Sequence, residues 1–232
     1  MPKTAVLVDG GFFLRRARHQ WNVASGVERA EQLVSYVGYH IKSNNRGRLE
    51  GGKRSLYRIF YYDCPPLNGR SVWQPWDGRN TTFGRKSETY QWITSFQQSL
   101  ERRTKVAMRM GTIAKEMIHY VPTYEAMKDI QSGRKTYEGL TRSDFEMVGM
   151  KQTGVDMRLG LDVASLSQGK VVDQIILIAD DADFIPAIKV ARRAGVDFLL
   201  DPMGNNVSRE LALQVDDVED LSLSFDPRRT LS

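Results

Sequence analysis

Cysteine is almost absent from this 232-residue sequence: Cys64 stands alone. No internal disulfide and no cysteine-rich zinc cage can form, and a buried bystander thiol is expected. Histidine is scarce too, and His19, His40 and His119 are too scattered to show metal-ligand spacing, which disfavours imidazole-centred zinc or acid–base chemistry. No uncharged apolar run reaches the length of about 18 residues that a membrane helix needs. Met1-Pro2-Lys3 leads straight into a strand pattern without the regions of a signal peptide. The glycine spacings that cradle a nucleotide are also missing, because Asp9-Gly10-Gly11 fits neither the GxGxxG nor the Walker pattern. A soluble, cytoplasmic domain without a nucleotide cofactor is the expectation, with carboxylates left to do any chemistry.

A hydrophobic content of 41% and this length support one sizeable core, or one core with a large insertion. The formal charge is +5, but the signs are segregated. Residues 42–54 hold Lys42, Arg46, Arg48, Lys53 and Arg54 against Glu50 alone, and residues 69–115 hold nine basic against three acidic side chains. From Asp197 onward eight acidic residues face three basic ones, an acidic C-terminal tail. Basic stretches of this kind can meet phosphate, although a solvated surface is the competing explanation for each.

Apolar periodicity divides the chain. Thr4 to Val8 is a buried strand opening into a flexible turn at Asp9-Gly10-Gly11. Ser25 with Glu28 forms a capping box, after which Ala30, Leu33, Val34, Val37 and Ile41 recur at helical spacing. Ser55 to Tyr62 is the second strand, a turn-rich segment runs to about Lys86, a helix covers Ser87 to Arg103, and Lys105 to Met110 is the third strand. Ile175 to Ala179 is a fourth strand, Ala187, Ile188, Val190 and Ala191 lie on a helix that Gly195 ends, and Val196 to Leu200 is a fifth strand. This alternation predicts an α/β fold with a central, mostly parallel five-stranded sheet flanked by helices, in a single domain spanning 1–232. The stretch 111–151 breaks the rhythm and reads as an inserted lid or β-ribbon.

Parallel sheets bind ligands beyond the carboxyl ends of their strands. Asp9 ends the first strand there, and Asp181 and Asp183 follow the fourth in Ala179-Asp180-Asp181-Ala182-Asp183-Phe184. Carboxylates brought together repel by about 4 kcal/mol per pair near 4 Å at an effective dielectric of 20, and a hard divalent cation relieves them. Each has a structural alternative: Asp183 as the cap of the following helix, Asp9 as the cap of the glycine turn, Asp180 and Asp181 as solvated loop charges. Asp156 opens a helix whose stripe is Val155, Leu159, Val163 and Leu166, where an acid also complements the helix dipole. Asp162 is placed to pair with Arg158 at i, i+4. Asp63 reaches the same edge in a supporting role.

VLVDGG at residues 6–11, FYYD at 60–63, Gly111 after the third strand, KQTGVD at 151–156 and ADDADF at 179–184 together resemble the NYN domains, the LabA-like branch of the PIN-like nucleases. The resemblance covers about residues 4–203. It implies a Rossmann-like PIN fold, metal-dependent endoribonuclease chemistry, and Asp9, Asp156, Asp181 and Asp183 as the acidic cluster. Two departures stand out. Ala179 and Asp180 occupy places where the family's last motif has serine and glycine, and Phe12-Phe13 follows Asp9 where many members carry asparagine.

The expected activity is hydrolysis of phosphodiester bonds in single-stranded or structured RNA. Asp9, Asp156, Asp181 and Asp183 would hold one or two Mg²⁺ or Mn²⁺ ions that activate a water and orient the phosphate. Arg79, Arg85, Lys86, Arg102, Arg103 and Lys151 are the candidates for gripping the strand, and Trp73, Trp76 or Tyr90 for stacking on unpaired bases, with core packing as the competing role for the aromatics. RNA is the expected partner, and DNA and a homo-oligomer stay open. The rival is a catalytically weak RNA-binding or protein-interaction module on the same fold.

Overall fold

The computed structural model describes residues 1–43, 53–114, 118–149 and 151–228. Arg46, Arg48 and Glu50 of the first basic stretch lie outside these residues, as does the side chain of Lys151. The chain opens with β1 (Lys3–Asp9), α1 (Gly10–Trp21), α2 (Gly26–Lys42) and β2 (Ser55–Asp63). A hairpin of β3 (Arg70–Trp73) and β4 (Asn80–Phe83) precedes α3 (Glu88–Glu101) and β5 (Val106–Met110). Next come β6 (Thr112–Ala114), β7 (His119–Pro122), α4 (Tyr124–Gln131), β8 (Phe145–Val148) and β9 (Lys151–Thr153). The chain then forms α5 (Val155–Gln168), β10 (Gln174–Ile178), α6 (Ile185–Arg193), β11 (Asp197–Asp201), α7 (Arg209–Ala212) and β12 (Asp217–Val218).

The central sheet is parallel and has six strands in the order β12-β11-β10-β1-β2-β5. The strand beyond the expected five is β12, too short at two residues to leave an apolar signature. Ala5 to Val8 and Ile175 to Ile178 are fully buried because both faces of the sheet are covered. Leu7, Phe60, Leu177 and Leu200 pack with Leu159 and Val163 of α5 and Ile188 of α6 on one face. Val8, Tyr61, Ile176 and Leu199 pack with Phe13 of α1, Leu33 of α2 and Phe96 of α3 on the other. The order reverses between β1 and β10, registered Val8 against Ile178, so the crevice of the topological switch opens above these two strands.

The expected turn after Asp9 is instead a helix start. Asp9 is the N-cap of α1, and its Oδ1 accepts from Phe12 N at 3.1 Å. A Cβ on Gly10 would meet the Tyr61 hydroxyl and come within 2.7 Å of the Tyr62 carbonyl oxygen, so glycine here permits close approach of helix to strand. The Ser25–Glu28 capping box forms as the sequence predicts, with bonds of 3.2 and 2.8 Å.

Two excursions leave the carboxyl edge of the sheet, one between β2 and α3 and one between β5 and α5. They meet in a small lobe where Ala126, Leu140 and Phe145 pack with Trp76, Tyr120 and Ile130. The first excursion leaves β2 at Cys64, and the second contains the 111–151 stretch. The acidic segment after Asp197 is folded onto the body through β11, α7 and β12, and Phe225 packs on Trp21 and Tyr36.

Candidate active site

Asp9, at the carboxyl end of β1, is mostly buried. Burial raises its carboxyl above the ordinary value, the Phe12 N–H and the Arg15 guanidinium oppose that rise, and the charges of Asp156 and Asp63 renew it. Asp156, exposed in the first turn of α5, is likewise raised, first by desolvation and then by the charges of Asp181 and Asp183. Asp156 therefore lies within electrostatic reach of Asp9, Asp181 and Asp183. Proximity stops short of a ligand set, since among the described residues no three aspartate, glutamate, histidine or cysteine groups converge tightly enough to hold a metal ion. The donors are all hard oxygens, the chemistry that Mg²⁺ and Mn²⁺ prefer.

Local bonds engage several of the acids. Asp181, rather than Asp183, caps the short turn after β10, its Oδ1 accepting from Asp183 N at 2.8 Å. Pro186 sits in the first turn of α6, where its missing N–H has no cost. Asp180 is engaged away from the cluster, its Oδ2 accepting from Asn205 Nδ2 at 2.6 Å. Asp63 is buried and accepts from Tyr61 Oη at 3.0 Å, Cys64 N at 2.7 Å and Gln97 Nε2 at 3.4 Å. Burial raises its carboxyl, and those three donors counter the shift. The charge of Asp63 thus disfavours ionisation of Asp9, while its own oxygens are spent on Tyr61, Cys64 and Gln97.

Asp162 is the salt-bridge residue expected, with a different partner. It pairs with Arg109 Nε at 2.7 Å and accepts from Tyr62 Oη at 2.9 Å. Tyr62 and Arg109 face each other across the β2–β5 pair, so at Asp162 α5 is bolted to the sheet instead of to its own preceding turn. Gly111 also helps to seat α5. A Cβ there would lie 2.6 Å from Thr153 O and 2.8 Å from Val155 Cγ2, so its bareness lets the chain entering α5 press against the end of β5.

The basic candidates separate. Arg79, Arg85 and Lys86 are exposed in the first excursion. Arg85 and Arg102 line a shallow cleft of about 340 Å³ on α3 with Val27, Tyr90 and Thr94. Arg103 is bonded to Glu31 at 3.0 Å. Arg102 and Arg103 close α3 just before β5, whose first residues pair with the middle of β2, so they sit toward the amino edge, away from the carboxylates. Arg15 was missed from the sequence. It lies on α1 one turn past Gly11, and a Cβ on Gly11 would be 3.5 Å from Asp9 Oδ1 and 3.6 Å from Arg15 Nη1. The only signal was an arginine on the first helical turns beyond Asp9, invisible while Gly10-Gly11 read as a turn.

A family model for the NYN domain matches residues 72–222. This chain belongs to the NYN domain family. The family is one of PIN-like nucleases, and the six-stranded parallel sheet between helices agrees with that fold. The matched span holds Asp156, Asp181 and Asp183, whereas Asp9 precedes it. A crystal structure of a protein of unknown function from Vibrio parahaemolyticus is similar at 13% identity and a TM-score of 0.47, covering 95% of this chain and 93% of that one. No curated protein matches the sequence. Among the described residues of this NYN protein, no helix is long and apolar enough to cross a membrane.

Proposed function

We propose that the protein is a divalent-metal-dependent endoribonuclease acting on single-stranded or looped RNA through Asp9, Asp156, Asp181 and Asp183. The observation that carries this reading is the interlocked charge of these acids at the switch crevice, where Asp156 feels Asp181 and Asp183 and Asp9 feels Asp156. A Mg²⁺ or Mn²⁺ ion supplies, when bound, Lewis-acid activation of water and of the phosphate. The chain's own contribution is positional. The Phe12 and Asp183 amides fix two carboxylates, buried Asp63 raises the negative potential behind Asp9, and Arg15 offers a guanidinium to the phosphate entering beside Asp9. Arg79, Arg85 and Lys86 hold the backbone of the strand, with Lys151 as a further candidate.

The lack of a converged set of three ligands among the described residues favours a second reading, a nucleic-acid-binding module with little turnover. Incubation of the purified chain with labelled single-stranded RNA, its DNA counterpart and duplex RNA in Mg²⁺, Mn²⁺ or EDTA separates the two. Internal cleavage of the single-stranded RNA that needs the metal and disappears in Asp181→Asn is expected. Metal-independent cutting, or no cutting with intact RNA binding, overturns the nuclease reading, the latter in favour of the binding module.

A further inference from the structure

The β3–β4 ribbon has two different faces. Strand alternation buries Val72 and half-buries Thr81 on one side. On the other, the cross-strand pairs Ser71–Thr82 and Trp73–Asn80 are all exposed. Trp73 is 55% exposed on this polar face, at the turn end of the ribbon, and its ring has no aromatic or cationic partner among the described residues. Trp76, three residues on, shows what a structural tryptophan in this lobe looks like: its ring lies 4.8 Å from Tyr120 and 5.7 Å from Phe145, with the Arg142 guanidinium 5.0 Å above it. The ribbon is held rigid by Gly69 N to Phe83 O at 2.9 Å and Gln74 N to Arg79 O at 2.7 Å.

An indole more than half exposed on a two-stranded element offers a flat apolar face on which a second flat group can lie. The surroundings choose its chemistry. A protein-docking site gathers contiguous apolar side chains around its anchor, whereas the neighbours here are a serine, a threonine and an asparagine able to bond a base edge. Arg79 adjoins Asn80, and its guanidinium forms no ion pair among the described residues. Between residues 70 and 86 Arg70, Arg79, Arg85 and Lys86 face Asp77 alone, so the field suits a polyanion. The ribbon also rises from the catalytic edge: it leaves the sheet at Cys64, next to Asp63, and Gln97 Nε2 holds the Cys64 carbonyl at 2.9 Å.

We propose that Trp73 is a stacking platform for one unpaired nucleobase of the bound RNA, with Asn80 reading the base edge and Arg79 on the adjacent phosphate. A duplex hides base faces, so the platform selects single-stranded or splayed nucleotides. This deepens the nuclease reading by naming what its site accepts, and it rests on that reading only for the fate of the strand, because stacking requires no catalysis.

The test measures binding in EDTA, where no metal-dependent cutting occurs, with a labelled single-stranded uridine oligonucleotide, the same strand carrying abasic positions, and a duplex RNA. Trp73→Ala is expected to weaken single-strand binding roughly 5- to 100-fold, Trp73→Phe to recover most of it, and the abasic strand to bind wild type as weakly as the intact strand binds Trp73→Ala. The slope of affinity against salt stays unchanged in Trp73→Ala and falls by about one in Arg79→Ala. Equal binding by wild type and Trp73→Ala, failure of wild type to bind any single strand, or loss of self-association as the effect of Trp73→Ala overturns the proposal. The two readings fail separately. Stacking through Trp73 without cutting in Mg²⁺ or Mn²⁺ removes the nuclease alone, and metal-dependent cutting with an unchanged KM in Trp73→Ala removes the platform alone.

Discussion

Asp9 has two roles that two substitutions pull apart. Its Oδ1 caps α1 through Phe12 N, and its charge sits where burial and the neighbouring Asp156 and Asp63 disfavour it. Asparagine caps a helix about as well as aspartate, whereas alanine loses roughly 0.5–2 kcal/mol. Asp9→Asn therefore keeps the cap and removes an unfavourable charge, and is expected to melt at or above the wild-type temperature. Asp9→Ala should melt lower, by about 2–4 °C for each kcal/mol in a domain of this size. Both should lose metal-dependent cleavage to the same extent. Loss of groups that merely orient metal ligands costs about 10–100-fold, so loss of a ligand should cost on the order of 100-fold or more. Differential scanning calorimetry with and without Mn²⁺ completes the assay: at a concentration about 100 times Kd the wild type gains about 2.7 kcal/mol, and Asp9→Asn gains far less. If Asp9→Asn cleaves RNA normally, or melts as low as Asp9→Ala, the carboxylate is a structural cap and the site has been misassigned.

The buried ion network at the C-terminal end of α2 predicts a pH profile. Desolvation disfavours charged His40, but its hydrogen bond to Asp201 at 2.7 Å and Glu219 lying 3.7 Å from Nδ1 more than compensate, raising it to about 9. A raised folded value means that this contribution is complete below the unfolded value near 6.5 and is lost as pH climbs through about 9. Glu219, although burial pushes it upward, is brought down to about 2 by His40 and Arg54, so its contribution is present above about 4.5 and lost toward pH 2. Melting temperature against pH should fall on both sides, and His40→Gln should flatten the alkaline limb; an unchanged limb refutes the assignment. Gly111→Ala should cost roughly 1–3 kcal/mol by overpacking against Thr153 and Val155. Because Asp156 follows Val155, cleavage by the folded variant should fall more than its stability, and equal activity at a temperature where both proteins are folded would refute that coupling.

Much of the scaffold was legible because fully buried strands leave continuous apolar runs, as in Thr4–Val8 and Ile175–Ala179. α1 was not, because two glycines spell a turn locally, and only Tyr61 and Tyr62, fifty residues away, reveal why a helix must start without side chains. Asp162 shows the same limit: its helix offers Arg158, but the sheet presents Arg109 together with the Tyr62 hydroxyl. At the site, Asp9 ends β1 and the ADDAD acids follow β10, positions that the apolar runs mark directly. Sequence could not show that Asp181 spends an oxygen on a turn, that Asn205 occupies Asp180, or that Trp73 and Trp76 part company, since each depends on a partner set by the fold.

The loop after β11 ties these observations together. Met203, at φ 44°, donates its N–H to Asp201 Oδ1 at 2.8 Å and offers its carbonyl to Arg16 Nε at 2.9 Å and Gln20 Nε2 at 2.6 Å. Asn205, two residues on, holds Asp180. One loop therefore braces α1, which presents Asp9 and Arg15, and the exit of β10, which presents Asp181, while being moored to the aspartate that His40 protonation satisfies. Loss of the His40 proton in alkaline solution removes the charge that faces Asp201, so the loop that braces α1 and the exit of β10 should loosen there before the rest of the molecule unfolds.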